Sequence, residues 1–226
     1  GEGRNFRMIH LPRPADGCCS SNYIKPSMFW SVTSDSQHPK EAAEFISWWT
    51  NSLEANDILF AERGVPVSSE VQKYLLPKLD PVGIEIFEFL GRVEADSSPI
   101  RPPDPVGHGD VRDNVYRPEF VDPVLYGLIS PEEGVATFRE LASEILAASA
   151  EEAAPAAEAE EAAPAADGQP VELRIAWWGS QNRHDRTIAA IELYEQEHPN
   201  VDITFEFNGW EDHWTKLATQ AAGGNL

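Results

Sequence analysis

Two short segments near the C-terminal end of the sequence combine tryptophan with polar side chains. The first contains Trp177, Trp178 and Ser180, and the second contains Asn208, Trp210 and Asp212. Sugars carry hydroxyl groups on their edges and C–H groups on their faces, so a sugar site needs aromatic platforms beside hydrogen-bond donors and acceptors. Both segments therefore contain the residue types that a sugar site requires.

The elements before these segments place them at one edge of a sheet. Apolar and polar residues alternate over 171–175 and over 201–207, which predicts two strands. Helical spacing follows each strand, over 180–197 and 210–222. The order β-α-β-α predicts parallel strands joined by a right-handed crossover. Because ligands bind at the carboxyl ends of parallel strands, we expect the two tryptophan segments to lie together.

Each aromatic or acidic candidate has a structural alternative. Trp177 and Trp178 point to opposite sides of the strand, so one belongs to the core, and Trp178 is the better candidate for the site. Trp210 is either a sugar platform or an apolar staple at a helix start. Asp212 either accepts a hydrogen bond from a hydroxyl or is a first-turn acid favoured by the helix dipole.

The remaining polar candidates are Ser180, Gln181 and Asn182. Gln181 and Asn182 are either ligand contacts or ordinary loop residues. Trp214 follows Trp210 by one helical turn, and we expect it to be a core residue.

The first 147 residues are mostly helical by pattern. Helices are predicted over 39–51, 53–61, 71–76, 82–93, 111–126 and 130–146, with Pro118 and Pro123 interrupting the fifth. Trp48 and Trp49 have core spacing in the first helix. A strand is predicted at 27–33 (SMFWSVT), and because one strand cannot form a sheet, we expect it to join the sheet of residues 171–226.

A segment of alanine, glutamate and proline divides the sequence. Residues 148–170 repeat the unit AEEAAPAA and contain no aromatic or β-branched residue. Such a segment buries too little apolar surface to offset its ordering entropy, which predicts a semi-extended linker. The predicted organisation is block one at 1–147, the linker at 148–170 and block two at 171–226.

Composition excludes several classes of protein. The formal net charge is −21, from 38 acidic and 17 basic residues, which argues against nucleic-acid binding. Cys18 and Cys19 are adjacent, a poor geometry for a disulfide, and are too few for a metal site. No apolar run is long enough to span a membrane, and the first ten residues, GEGRNFRMIH, lack the apolar region of a signal peptide.

Both blocks resemble extracellular (periplasmic) solute-binding proteins of family 1, the sugar-binding components of ABC importers. Block two carries LRIAWWGSQNRHDRT and FEFNGWEDHWTKLATQAAGGNL, which look like the mature N-terminus of the family. Block one carries YIKPSMFWSVTSDSQHPKEAAEFISWWTNSLEAN, LFAERGVPVSS and LYGLISPEEGVATFRELASEIL, which look like its C-terminal third. The resemblance implies a periplasmic-binding-protein-like α/β fold, partial and circularly permuted, in which Trp30 and Arg63 approach the ligand. Arg63 is otherwise a C-terminal helix arginine.

The order of the blocks departs from the family. Block two would come first and block one last, and the central region of the family is not represented. Three explanations remain open: a split, permuted chain that needs a complementary chain, a mis-joined reading frame, or a fusion of adjacent genes. The resemblance implies an extracellular or periplasmic protein whose partners are a sugar ligand, a complementary chain or fragment of the same protein, and an ABC permease. No cofactor is expected.

Enzymatic activity is not expected. The sequence contains no GxSxG, HExxH or Walker motif, and no pair of carboxylates stands in a recognisable catalytic setting. Two other functions remain as alternatives to sugar binding. One is a module of a reassembling protein that binds no ligand alone, and the more distant one is a carbohydrate-active enzyme.

Overall fold

The computed structural model describes residues 7–17, 19–100, 102–153 and 170–225. The chain is a mixed α/β protein, mostly helical, with a small parallel sheet. It forms two compact units, Gly1–Ile100 with Ala162–Leu226, and Arg101–Glu161. The first unit therefore contains residues from both predicted blocks. Cys18 and residues 154–169 of the predicted linker lie outside the described residues, while Cys19 is exposed.

Most of the predicted helices and both strands of block two are present, with boundaries that differ by a few residues. The linker boundary predicted at 148 is wrong, because the helix that begins at Pro131 continues to Ala153. In chain order the elements are α1 (Pro39–Asn51), α2 (Leu53–Leu59), α3 (Ser69–Leu75), a 3-10 turn (Leu76–Lys78), α4 (Pro81–Ala95), α5 (His108–Asp110), a π-helix (Val111–Val121), α6 (Asp122–Leu125), α7 (Pro131–Ala153), β1 (Val171–Trp178), α8 (Gln181–Glu197), β2 (Val201–Asn208) and α9 (Trp210–Ala222).

Strands β1 and β2 are parallel, as the sequence predicts, and pair in register from Val171 opposite Val201 to Trp178 opposite Asn208. Alternate residues of a strand point to opposite faces of the sheet. The odd-numbered residues of β1 are buried and its even-numbered residues are more exposed. One face of the sheet is therefore apolar and must be covered by other elements.

The core of the first unit joins residues from both blocks. Helix α8 contributes Ala190, Ile191 and Tyr194, which lie close to the sheet in sequence. Phe45, Trp49 and Leu59 come from α1 and α2, more than a hundred residues earlier. The rings of Phe45 and Tyr194 meet edge to face with centroids 5.0 Å apart. The core placement of Trp49 that its helical spacing predicts is confirmed.

The strand predicted at 27–33 is absent, so this prediction is wrong. The only strands among the described residues are β1 and β2, and residues 27–33 have no neighbouring strand with which to form a ladder. A β-strand persists only when its backbone groups pair with another strand. Trp30 nevertheless packs edge to face on Trp49, with centroids 5.3 Å apart, so the segment is held by its side chains.

The second unit is helical throughout its described elements. Ser130 and Glu133 form the capping box that starts α7, since the Ser130 hydroxyl accepts from the Glu133 amide and the Glu133 carboxylate accepts from the Ser130 amide. Of the two predicted interruptions, the chain stays helical through Pro118, in a π-helix over Val111–Val121, and the helix changes type just before Pro123, where α6 begins.

The described residues contain no helix that is both long and apolar enough to cross a bilayer.

Gly134 of α7 allows a close approach within the second unit. A Cβ atom there would lie 2.7 Å from Val124 Cγ2 and 2.9 Å from Phe120 Cδ2. We predict that Gly134→Ala lowers the free energy of unfolding by about 1–3 kcal/mol, because overpacking displaces both side chains. Urea denaturation followed by far-UV circular dichroism measures this.

The matched control is Gly91→Ala in α4, where an added Cβ meets no atom within 4 Å. There the same substitution should stabilise the helix by about 0.5–1 kcal/mol. Equal effects of the two substitutions would contradict the packing argument.

Candidate functional site

The carboxyl ends of β1 and β2 and the starts of α8 and α9 form one edge of the sheet. Trp178 ends β1 opposite Asn208, and Trp210 is the first residue of α9. Trp178 and Trp210 meet edge to face with centroids 4.6 Å apart. The structure therefore brings together the two tryptophan segments that are far apart in sequence.

A third tryptophan extends this contact. Trp214 lies edge to face with Trp210, at 5.3 Å between centroids. The expectation that Trp214 is a core residue is wrong, since it is 45% exposed and Trp210 is 48% exposed. His213 is the buried neighbour instead, because α9 turns that side chain inward and Trp214 is rotated by about 100° from it.

Trp177 belongs to the core, so the choice of Trp178 over Trp177 agrees with the burial pattern. Trp177 is 3% exposed, and its indole N–H donates to Nδ1 of His184 at 3.0 Å. His184 stacks on Phe207, with centroids 4.2 Å apart. Because Nδ1 accepts this bond, the imidazole is neutral with its proton on Nε2.

Arg183 covers one face of the Trp178 ring. Its guanidinium carbon lies 4.6 Å from the centroid of the Trp178 ring, a cation–π contact that occupies one ring face. Its Nε donates to both carboxylate oxygens of Glu62, at 3.0 and 2.9 Å. Gly179 provides room, because a Cβ there would lie 2.9 Å from Cβ of Arg183.

A strained turn presents Glu62 and Arg63 to α8. Phe60 and Ala61, which follow α2, have left-handed φ angles of 51° and 55°. Non-glycine residues adopt this conformation at a cost of about 1–2 kcal/mol each, so the contacts of the turn must offset it. The Glu62–Arg183 pair is one such contact, and its side chains are only 19% and 12% exposed.

The predicted polar contacts are partly engaged within α8. Gln181 Nε2 donates to Asp185 at 2.7 Å, and Asn182 Oδ1 accepts from Arg186 Nε at 3.1 Å. Ser180 is exposed and its hydroxyl does not cap the helix. Asp212 is exposed on α9 and makes no hydrogen bond or ion pair within the described part of the chain. Ser180 and Asp212 are therefore the candidates that remain available to a ligand.

Trp30 and Arg63 contact each other and Trp49. The guanidinium carbon of Arg63 is 5.5 Å from the Trp30 ring and 5.7 Å from the Trp49 ring. Its Nη2 donates to the hydroxyl of Thr187 at 2.8 Å. Burial, and then the nearby charge of Arg183, lower the pKa of Arg63 to about 10. Both side chains act in packing here, and neither shares a ring contact with Trp178 among the described residues.

Sequence reasoning missed Arg183 and Glu62. Arg183 is one of several polar residues at the start of α8 and has no distinguishing local pattern. Its partner is 121 residues away, so only the folded chain identifies the pair. The resulting edge carries three tryptophan rings, two of them about half exposed, with hydroxyl and carboxylate groups nearby, an arrangement that can stack on sugar faces and bond their hydroxyls.

No protein-family model matches this sequence. Within the described ranges, no cluster of three or more histidine, cysteine, aspartate or glutamate side chains is placed to hold a metal ion.

The Glu62–Arg183 pair should stabilise the first unit. A double-mutant cycle with Glu62→Gln and Arg183→Gln should give a coupling free energy of about 1.5–3 kcal/mol, because the pair is charged and shielded from solvent. The exposed pair Lys40–Glu44 is the control, with side chains 53% and 59% exposed. Its coupling should be about 0.3–0.5 kcal/mol, and an equal value at both sites would contradict the assignment.

Stability should depend on pH through His184 and His213. Burial is the main cause that lowers the pKa of each below the ordinary 6.5. The unfolded chain therefore binds protons at a higher pH than the folded chain. The stabilisation is complete above about pH 6.5 and is lost as the pH falls through the range between the unfolded and folded pKa values. Denaturant titrations from pH 8 to pH 5 measure this.

His184→Asn should flatten part of that pH dependence, and His213→Asn should flatten another part. An unchanged pH profile in both variants would show that other groups cause the loss of stability.

Proposed function

We propose that this chain binds a carbohydrate as part of an ABC-transporter solute-binding protein, and that it is a permuted or split form that needs a complementary segment for full affinity. The contact between Trp178 and Trp210 at the carboxyl edge of a parallel sheet is the observation that carries the proposal. The ligand-binding residues of the proposal are Trp178, Ser180, Gln181, Asn182, Trp210, Asp212, Trp30 and Arg63.

The geometry supports unequal roles for these residues. Trp210 is about half exposed and offers its ring to a sugar face, while Arg183 covers one face of Trp178. Ser180 and Asp212 supply a hydroxyl and a carboxylate to sugar hydroxyls. Arg63 and Trp30 would hold the position of Glu62 and the strained turn, and would reach a ligand only after rearrangement.

The resemblance to family 1 solute-binding proteins supplies the wider mechanism. In that mechanism two lobes close on a sugar, and the closed protein docks to a membrane permease. The proposed fold is accordingly a partial, circularly permuted periplasmic-binding-protein fold, located outside the cytoplasm. One lobe buries too little of a ligand for tight binding, so the affinity of this chain alone should be weak.

A specific observation favours a second candidate function, a module of a reassembling protein. The two blocks share one core, in which Phe45 and Trp49 pack with Tyr194 and the sheet. A reassembling protein requires two segments that are held together by packing of this kind when they are supplied separately. Catalysis is not part of either proposal, and turnover of a bound sugar would contradict both.

Sugar binding should be measurable at millimolar concentration. We predict that at least one member of a panel of mono- to tetrasaccharides shifts the indole N–H signals of Trp178 and Trp210 in ¹H–¹⁵N spectra. Trp210→Ala should weaken the affinity about 3- to 10-fold, because an aromatic contact contributes about 0.5–1.5 kcal/mol beyond its buried area.

Tyr126→Ala is the matched control, an exposed aromatic residue of the second unit that should leave the affinity unchanged. Absence of any saturable shift with the full panel, or equal effects of the two substitutions, would contradict sugar binding at this edge. Binding without a sugar product in the same samples separates the proposal from an enzyme.

A further inference from the structure

The outer edge of β2 has unpaired backbone groups at two positions. The amide of Val171 donates to Asn200 and the amide of Gly179 to Asn208, so the odd-numbered amides of β1 face β2. In a parallel ladder the odd-numbered amides of β2 then face away from β1. Val201 and Ile203 find partners there in the carbonyl of His198 and the carboxylate of Glu195. Phe205 and Phe207 have no such partner within the described chain.

The side chains at these two positions are also uncovered. Phe205 and Phe207 are 40% and 36% exposed, although they lie on the apolar face of the sheet. The corresponding residues of β1 on that face, Ile175 and Trp177, are buried. Exposed rings and unpaired amides therefore coincide in the last half of β2, which is an open strand edge with an apolar flank.

The unpaired stretch of β2 is Phe205 to Phe207, with Glu206 at its centre, and it is bounded at both ends. Glu195 closes the edge at Ile203, and α9 begins after Gly209. A second strand can therefore exchange hydrogen bonds with only two residues. In an antiparallel pair the two residues that lie opposite each other exchange both bonds. A second copy of β2 meets this condition when Phe205 lies opposite Phe207 of the other copy, and Phe207 opposite its Phe205.

The geometry points to a weak symmetric dimer in which β2 pairs antiparallel with β2 of a second copy through Phe205 and Phe207. The pairing satisfies all four open amides and places the four phenylalanine rings in two cross-strand aromatic pairs. On the opposite face the two Glu206 carboxylates approach each other. Lys216 and Arg174 already pair with Glu206 in each copy, which reduces the repulsion.

Dimerisation of this kind goes beyond the proposed function and does not depend on it. Alternate residues of a strand face opposite ways, so the Phe205–Phe207 surface lies on the other side of the sheet from Trp178. The charge of −21 on each copy opposes association, and added salt screens that repulsion. The dimer should therefore tighten between 0.1 and 0.5 M NaCl.

The test combines sedimentation velocity with amide hydrogen exchange on the intact chain, from 5 µM to 1 mM. The expected result is a shift from monomer to dimer, together with slower exchange at the Phe205 and Phe207 amides. Exchange at Glu172 and Arg174, on the outer edge of β1, should stay unchanged. Phe207→Lys should weaken the dimer at least about tenfold, because both aromatic pairs contain this residue.

Two further variants keep the test decisive. Phe205→Thr removes a ring but keeps a good strand former, and it should also weaken the dimer. Val67→Lys, at a residue 80% exposed, is the control and should not. A monomer at 1 mM with unchanged exchange would overturn the inference. So would a dimer that protects β1 instead, a dimer insensitive to both phenylalanine variants, or protection that requires a different polypeptide.

Discussion

The apolar face of a two-stranded sheet is the constraint on which the first unit depends. Two parallel strands cannot bury their own side chains, and helix α8, which connects them, covers only part of that face. Phe45, Trp49 and Leu59 of α1 and α2 complete the cover from a distant part of the chain. The two sequence blocks therefore pack together because the apolar face of the sheet must be buried. Among the described residues, no disulfide or other cross-link holds them together.

Polar contacts then determine how the blocks are oriented. Glu62 binds Arg183, Arg63 binds Thr187, and Arg186 donates to the carbonyl of Ile58. All three join the end of α2 and its strained turn to the first half of α8. Each guanidinium is partly buried and needs a partner there, so these contacts select one arrangement among those that hydrophobic cover alone would allow. The same arrangement places Arg183 over Trp178 and so shapes the candidate site.

The tryptophan edge and the end of β2 both stay open after the core is formed, and Trp178 and the two phenylalanines face opposite sides of the sheet. At the tryptophan edge, at the carboxyl ends of the strands, ring faces and polar groups suit a sugar. At the end of β2, unpaired amides and exposed phenylalanine rings suit another strand. Backbone groups and apolar rings require different partners from sugar-binding groups, so the two surfaces should be used independently.

The sequence by itself determined the local elements, because their signals are local. Alternation predicted β1 and β2, and helical spacing predicted α1, α8, α9 and the start of α7. The sequence also predicted that Trp178 and Trp210 lie at one edge of the sheet, because the carboxyl ends of parallel strands meet at the same edge.

Only the tertiary structure decided which aromatic side chains are exposed and which charges are paired. Trp214 lies outside the core because no described element covers it, residues 27–33 form no strand because they lack a neighbour, and Arg183 is fixed by a carboxylate 121 residues away. Burial and ion pairing are properties of contacts between distant segments, and no pattern within one segment specifies them.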